Sequence, residues 1–145
     1  MLGIVRPLCI FLILVCAAGC RQAPQRTVVV HHDPELLRLT AVLDAAQTQT
    51  DMNLASKRIS EFWDAKLASV ESRFAHRLVD EQQKGFADSK ERWRIYRTQE
   101  VQFRSAFFSD GSIRPLVANA SYSEITEHRV AELESLWVST LEVAR

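Results

Sequence analysis

Residues 59–78 read ISEFWDAKLASVESRFAHRL, and this stretch decides the fold. Its large apolar residues recur mainly at steps of three and four, which is the spacing of residues along one face of an α-helix. They are Ile59, Phe62, Trp63, Leu67, Val70, Phe74 and Leu78. So wide an apolar stripe predicts a long helix that packs against other helices along its length.

A shorter helix is predicted before this stretch, beginning at Asp33-Pro34. Aspartate is a common N-cap residue, and proline is tolerated at the first helical position. The polar residues 47–50 are expected to interrupt the helical pattern. Asp51 is then expected to cap the long helix that follows.

Two further long helices are predicted downstream. The polar run at residues 80–85 indicates the end of the first long helix, with Gly85 able to adopt a positive φ. The apolar positions of the next helix are Phe86, Trp93, Tyr96, Val101, Phe103 and Phe107. The Ser109-Asp110-Gly111 segment indicates a turn, with Gly111 suited to a left-handed cap or a tight turn, and Pro115 belongs to the first turn of the last helix.

These patterns together predict an all-α fold. We expect an antiparallel bundle of three long helices with a short extra N-terminal helix, forming one domain over residues 34–145. Glycine and proline number only four each, which argues against an all-β fold with many turns. Trp63, Trp93, Tyr96 and Trp137 match the apolar stripes, so they are expected in the core rather than in an exposed aromatic site.

The first 19 residues are predicted to be a lipoprotein signal peptide. A single charge, Arg6, precedes an apolar run that is too short to span a bilayer. The run ends in Ala17-Ala18-Gly19-Cys20, which fits the lipobox of bacterial lipoproteins, with Cys20 as the lipidated residue. Residues 20–33 are then a tether. The alternatives are a soluble secreted protein cut nearby and an uncleaved anchor.

Lipidation of Cys20 would anchor the chain to a membrane of the bacterial cell envelope, facing the periplasm. Arg21 replaces the aspartate associated with inner-membrane retention in some bacteria, which favours the outer membrane. The remaining cysteines, Cys9 and Cys16, lie in the leader. The mature domain therefore has neither a disulfide nor a thiolate ligand, and its stability must come from packing.

Charge and motifs exclude several classes of function. Basic and acidic residues balance at 18 each, so no nucleic-acid partner is expected. No glycine-rich phosphate loop or nucleotide fingerprint is present. His31 and His32 are adjacent in the tether, but neighbours on one linker rarely complete a coordination shell. We predict no metal, no cofactor and no catalytic residue, and therefore no enzyme.

Ionic residues lie beside the apolar stripes of the last two helices. Arg97 and Glu100 share a face with Trp93, and Arg129 lies between apolar residues of the last helix. A buried charge without a partner costs several kcal/mol, so we interpret Arg97, Glu100 and Arg129 as an interhelical network, with Trp93 and Tyr96 beside it. The alternative is a partner-binding patch.

The connection at residues 109–114 is the one polar loop expected to interrupt the bundle. Ser112 and Arg114 could project hydrogen-bond donors into an acidic cleft of a partner. The alternative is an ordinary helix–helix turn without a role in binding.

Several of these residues form a pattern known from one protein family. The pattern comprises Trp93-x-x-Tyr96-Arg97-x-x-Glu100, Gly111-Ser112-Ile113-x-Pro115 and Thr126-x-x-Arg129, together with residues 44–53 and 63–67. It resembles the LprI-type lysozyme-inhibitor-like family of small bacterial envelope proteins over roughly residues 44–136. Family members often have four cysteines, and the matching positions here are Ala45, Ala55, Val101 and Ser121. Their joint replacement is expected if they normally form two bridges.

The resemblance implies a function that the residues alone do not. We expect a lipid-anchored cell-envelope binding protein, with lysozyme as a candidate partner; a muramidase cleft with two catalytic carboxylates suits Arg114. The alternative is a structural or assembly lipoprotein that binds an envelope protein or peptidoglycan. An enzyme acting on cell-wall sugars is the least favoured, because no acid/base pair of carboxylates is recognisable.

Overall fold

The computed structural model describes residues 33–141, which are helical throughout apart from short connections. The helices are α1 (Pro34–Asp44), α2 (Gln49–Ala75), α3 (Asp80–Ala106) and α4 (Arg114–Leu136), followed by a π-helical segment, Trp137–Leu141. No strand occurs among these residues, so the prediction of an all-α fold is confirmed. The signal peptide, Cys20, the histidines of the tether and residues 142–145 lie outside the described residues.

The starts of α1 and α2 follow from their capping residues. The Asp33 carboxylate accepts a hydrogen bond from the Glu35 N–H at 3.0 Å, and Pro34 is the first helical residue, as predicted. At α2 the cap is Thr48 rather than the predicted Asp51: the Thr48 hydroxyl accepts from the Asp51 N–H at 3.1 Å. The prediction was wrong because α2 already begins at Gln49, which places Thr48 at the cap and Asp51 inside the first turn. Asp51 instead interacts favourably with the positive end of the helix.

The connection between α2 and α3 lies earlier than the sequence suggested. Helix α2 ends at Ala75, and α3 begins at Asp80, so the predicted helix end at residues 80–85 is wrong. Glutamate, glutamine and lysine are good helix formers, and one glycine costs a helix only about 1 kcal/mol. Gly85 therefore lies inside α3, and its φ is not positive. The Gln82 side chain accepts from the Val79 N–H at 3.3 Å and closes the start of the helix.

The connection between α3 and α4 is a series of tight turns. The Phe108 N–H donates to the Ser105 carbonyl at 3.1 Å, the Gly111 N–H to the Phe108 carbonyl at 3.2 Å, and the Arg114 N–H to the Gly111 carbonyl at 3.0 Å. Of the two conformations expected for Gly111, a left-handed cap or a tight turn, the structure has the tight turn, and the φ of Gly111 is not positive. Because these turns continue the helical sense of the chain, no left-handed residue is required.

Side-chain contacts give the direction of each long helix. Asn53 and Arg73 of α2 pair with Asn119 and Glu134 of α4, in the same order along both helices. Helices α2 and α4 therefore run in the same direction. Helix α3 runs opposite to α4, because Arg104, near its end, pairs with Glu124, near the beginning of α4.

The core lies between α2 and α4. Its buried residues are Trp63, Leu67, Val70, Phe74, Val130 and Leu133. Full burial of a side chain of this kind stabilises the fold by about 1.5–3 kcal/mol. The partly buried Phe86 and Trp93 of α3 and Trp137 pack against this core. None of the described helices has an apolar stretch long enough to cross a bilayer.

Helix α3 contributes no fully buried apolar side chain; its buried residues are Arg97 and Ser105. Tyr96 is 51% exposed, so its predicted place in the core is wrong. Consecutive residues of a helix point about 100° apart, and only the face carrying Trp93 and Arg97 meets the other helices. Tyr96 lies outside that narrow face.

Candidate functional site

A buried ionic cluster joins the three long helices. The guanidinium of Arg97 donates from Nη1 to Asp64 Oδ1 of α2 at 2.9 Å and to Thr126 Oγ1 of α4 at 3.0 Å. It also lies 4.0 Å from the ring centroid of Tyr122 and 4.7 Å from that of Trp93. Only 9% of Arg97 is exposed. The charge is thus held by a carboxylate, a hydroxyl and two aromatic rings.

Tyr122 completes the cluster on its outer side. Its hydroxyl lies 2.8 and 2.6 Å from the two oxygens of the Asp64 carboxylate, to which it donates. Burial, followed by this hydrogen bond to Asp64, raises the pKa of Tyr122 to about 12. Tyr122 is therefore a neutral donor near pH 7. Asp64 receives both Tyr122 and Arg97, and it fixes α2 to the other two helices.

The predicted network is only partly brought together. Arg97 and Arg129 both approach the ring of Trp93, Arg129 at 5.9 Å from its centroid. Glu100 instead pairs with Arg104 at 2.8 Å, so the predicted partnership of Arg97 with Glu100 is wrong. Glu100 and Arg104 are one helical turn apart and exposed enough to meet, whereas Arg97 points inward.

The remaining contacts of Arg129 lie at the surface. Arg129 donates to Ser89 at 3.1 Å and to Glu132 at 3.3 Å. The true partners of Arg97 are Asp64 and Thr126. Thr126 belongs to the sequence pattern, but Asp64 was missed as a site residue. Its position next to Trp63 in the apolar stripe was the available signal, because a charge beside a core residue needs a partner.

This cluster is structural in its chemistry. Arg97 Nη1 and the Tyr122 hydroxyl both donate to the Asp64 carboxylate, while Arg97 Nε is buried without a hydrogen-bond partner among the described residues. Among residues 33–141 no group of three or more histidine, cysteine, aspartate or glutamate side chains could hold a metal ion. The contacts of the cluster connect α2, α3 and α4.

A groove between α2 and α3 is a second place where a ligand could be sought. It has a volume of about 530 Å³, and small residues such as Ala68 and Ala87 line its walls. The buried carboxylate of Glu71 lies in it, 2.8 Å from Lys90 Nζ and 3.1 Å from Arg94 Nη2. These ion pairs connect α2 with α3, so we interpret the groove as a structural contact between the two helices and not as a binding site.

The turn between α3 and α4 is the most distinctive exposed feature, and the predicted binding residues Ser112 and Arg114 belong to it. The backbone carbonyl of Ser112 accepts from Asn53 Nδ2 of α2 at 3.1 Å. Asn119 of α4 in turn donates to the Asn53 carbonyl at 3.2 Å and to Ser56 Oγ at 3.0 Å. The turn is thus tied to both neighbouring helices and is presented in a defined position.

The start of α4 is an electropositive end. Its cap residue, Ile113, makes no side-chain capping bond, and the first turn carries no acidic residue. Arg114 is exposed and forms no ion pair with any other residue in 33–141. The helix dipole adds to its charge, although the Arg114 N–H is already bonded to the Gly111 carbonyl and Pro115 has no N–H to donate. Asp110 is the single acidic residue of the turn. The arrangement suits a carboxylate of a partner.

Exposed apolar side chains occur at the end of α3 and in the turn that leads to this charged end. Phe103, Phe107, Phe108 and Ile113 are all exposed, Phe107 to 73%. The rings of Phe103 and Phe107 contact each other edge to face at 5.3 Å between centroids. Sequence reasoning assigned Phe103 and Phe107 to the apolar stripe of their helix, and the structure places both outside the core. Their exposure was the part of the site that the sequence did not predict.

The four positions that match family cysteines lie in two groups. Ala45, at the end of α1, and Ala55, buried in α2, line one surface pocket. Val101 and Ser121 lie on α3 and α4, in the half of the molecule nearest the turn. Ser121 is buried, so a small side chain fills its position in the packed interface.

Comparison with known families supports the earlier resemblance. A family model described as Lysozyme inhibitor LprI matches residues 41–133. The match covers more than half of the chain, and it includes all of α2 and α3, the turn and most of α4. Searches of the curated proteins and of the solved structures gave no significant match.

Proposed function

Because this chain belongs to the LprI lysozyme-inhibitor family, we propose that it binds a lysozyme-type muramidase and blocks its cleft without catalysing a reaction. The family match over residues 41–133 is the observation that carries the proposal. The geometry supports one place for the contact: the turn between α3 and α4, where Ser112 and Arg114 lie beside the electropositive start of α4.

The chemistry of the target supports this choice. Glycosidases of this kind work with a pair of carboxylates on either side of the scissile bond. The exposed Arg114 can donate a charge-assisted hydrogen bond to such a carboxylate, an interaction worth about 1.5–3 kcal/mol. Ser112 adds a neutral donor two residues away. A cleft occupied in this way cannot bind its polysaccharide.

The helices supply the frame in this proposal. We take α2, α3 and α4 as one bundle in which α3 runs antiparallel to the other two helices. The contacts of Arg97 with Asp64 and Thr126 hold the three helices together. A loop is an effective binding element when a rigid scaffold positions it. The tie from Asn53 to the Ser112 carbonyl extends that scaffold to the turn itself.

The place of action is part of the proposal. A lipid on Cys20 would hold the domain at the membrane, facing the periplasm, with the outer membrane favoured by Arg21. A tether over residues 20–33 reaches at most about 50 Å when fully extended. The domain would then meet a muramidase that has entered the envelope, close to the polymer that the enzyme attacks.

The test is an inhibition assay. The protein is purified in detergent as the cell produces it, and lysozyme activity on peptidoglycan is measured as the protein is titrated in. Detergent without the protein is the control. We expect activity to fall in proportion to the protein added, until a stoichiometric amount abolishes it. Unchanged lysis at a tenfold excess would contradict the proposal.

A further inference from the structure

Four exposed apolar side chains form what we call the aromatic patch: Phe103, Phe107, Phe108 and Ile113. Single exposed apolar residues are common on proteins and require no explanation. Here three phenylalanines lie within six positions and adjoin the turn. Phe107 is 73% exposed, more than any other large apolar side chain in residues 33–141.

Packing at this end of the molecule leaves no interior place for the phenylalanines. The buried residues near the turn are small: Ala55 and Ser56 of α2, Ser105 of α3 and Ser121 of α4. Small side chains let the helices approach closely, whereas the other half of the core is filled by larger residues such as Trp63 and Phe74. The aromatic patch therefore contributes little to folding, and its exposure calls for another purpose.

We propose that the aromatic patch is the main anchor of the partner interface and that it packs on the apolar walls of the muramidase cleft. This inference rests on the proposed function and deepens it. Protein interfaces draw most of their binding energy from a few aromatic and arginine residues in a desolvated centre. Ligand clefts are lined mainly by apolar and aromatic surface with a few polar groups. The patch and Arg114 together match both features.

The charge beside the aromatic patch favours a muramidase over a second copy of the chain as the binding partner. In a two-fold dimer through the aromatic patch, each patch would face its own image, because such an interface is isologous. Both Arg114 side chains and both starts of α4 would then come to the interface, with one acidic residue, Asp110, from each turn to offset them. Like charges brought together in this way are unfavourable. A cleft with carboxylates presents the opposite charge at the same place, so the muramidase is the better fit.

The experiment compares matched exposed residues of α3. Phe107→Ser and the double variant Phe103→Ser/Phe107→Ser remove the centre of the aromatic patch. Ile95→Ser and Tyr96→Ser are controls, because these side chains are about half exposed on the same helix but lie two turns or more from Phe107. Binding to lysozyme is measured by calorimetry with the protein in detergent, together with the melting temperature and the mass of each variant in solution.

We expect Phe107→Ser to weaken binding about 30-fold, the effect of removing one interface residue worth about 2 kcal/mol. The double variant should weaken binding further, while the two controls change it by less than threefold. Melting temperatures of the patch variants should stay within a few degrees of the wild type or rise, because both side chains are exposed.

Other results would overturn the inference in distinguishable ways. If the wild type binds lysozyme and Arg114→Glu abolishes binding, but the patch variants bind normally, the proposed function survives and the anchor is refuted. If the wild type does not bind at all, both fail. A wild-type dimer that Phe107→Ser converts to a monomer would assign the aromatic patch to a second copy of the chain and refute the muramidase as its occupant.

Discussion

Replacing Arg97 by alanine is expected to destabilise the domain by about 3 kcal/mol. The guanidinium donates to Asp64 at 2.9 Å and to Thr126 at 3.0 Å, and it packs on the rings of Tyr122 and Trp93. Breaking a buried ion pair from one side costs about 3–5 kcal/mol. The Asp64 side chain is 48% exposed, so water can solvate it after the change, and the lower end of that range applies.

Thermal and chemical unfolding measure this loss. For a domain of this size, about 3 kcal/mol corresponds to a fall in melting temperature of roughly 12 °C. Arg92→Ala is the matched control: Arg92 lies on the same helix, is exposed, and forms no ion pair with any residue in the described part of the chain. We expect the control to shift the melting temperature by no more than about 2 °C.

A double-mutant cycle tests the partner assignment itself. The coupling between Arg97→Ala and Asp64→Asn should exceed about 1 kcal/mol, whereas the coupling between Arg97→Ala and Glu100→Gln should be close to zero. A loss of stability below about 1 kcal/mol for Arg97→Ala, or a larger coupling to Glu100 than to Asp64, would refute the reasoning. Lost lysozyme binding at an unchanged melting temperature would assign Arg97 to the partner interface instead.

Three further predictions follow from the cluster, the turn and the cysteine positions. The pKa of Tyr122 is raised to about 12, so the stability that this residue contributes is complete below pH 10 and is lost as the pH rises through 12. Tyr122→Phe should remove that part of the loss of stability at alkaline pH. Tyrosinate absorbance and circular dichroism follow the titration and the unfolding. Arg114→Glu should abolish lysozyme inhibition and leave the melting temperature unchanged, whereas normal inhibition would exclude the turn as the contact. The pair Ala45→Cys/Ala55→Cys should form a disulfide that stabilises the domain by about 2–3 kcal/mol, measured by thiol titration and unfolding; free thiols under oxidising conditions would contradict the pairing.

The sequence predicted the helices well where large apolar residues repeat. Residues 59–78 gave the long helix α2, and Asp33-Pro34 gave the start of α1, because both signals are local. Local signals misplaced the start of α3, since the polar run at residues 80–85 consists mostly of good helix formers. A single glycine at position 85 does not end a helix when its neighbours favour one.

The sequence could not predict which faces of α3 meet the other helices. Tyr96, Phe103 and Phe107 share one face at helical spacing, and that spacing is the same for a buried face and an exposed one. Which face of α3 is exposed depends on how the helix packs against its neighbours, and only the assembled helices reveal that. The partner of Arg97 was missed because it is distant in sequence: Asp64 is 33 positions from Arg97, whereas Glu100, the predicted partner, is close to Arg97 on the same helix.

Trp93, Arg97 and Thr126 of the family pattern do meet in space. Arg97 contacts the Trp93 ring and the Thr126 hydroxyl, so this part of the pattern records a structural junction. Glu100 belongs to the same pattern but pairs with Arg104 one turn beyond that junction, and Tyr96 is exposed. The family pattern therefore indicates mainly how α3 packs against the other helices. The exposed residues at the turn are the better guide to the binding surface.

The division of the core between α2 and α4 has a consequence for the order in which the chain can fold. Trp63 and Phe74 pack with Val130 and Leu133, and the pairing of Arg73 with Glu134 joins residues 61 positions apart. During synthesis, α2 therefore leaves the ribosome long before its packing partner exists, and its apolar stripe stays open to water or to a chaperone. Neither half of the chain can form the core alone, so the domain should fold in one cooperative step once α4 is complete.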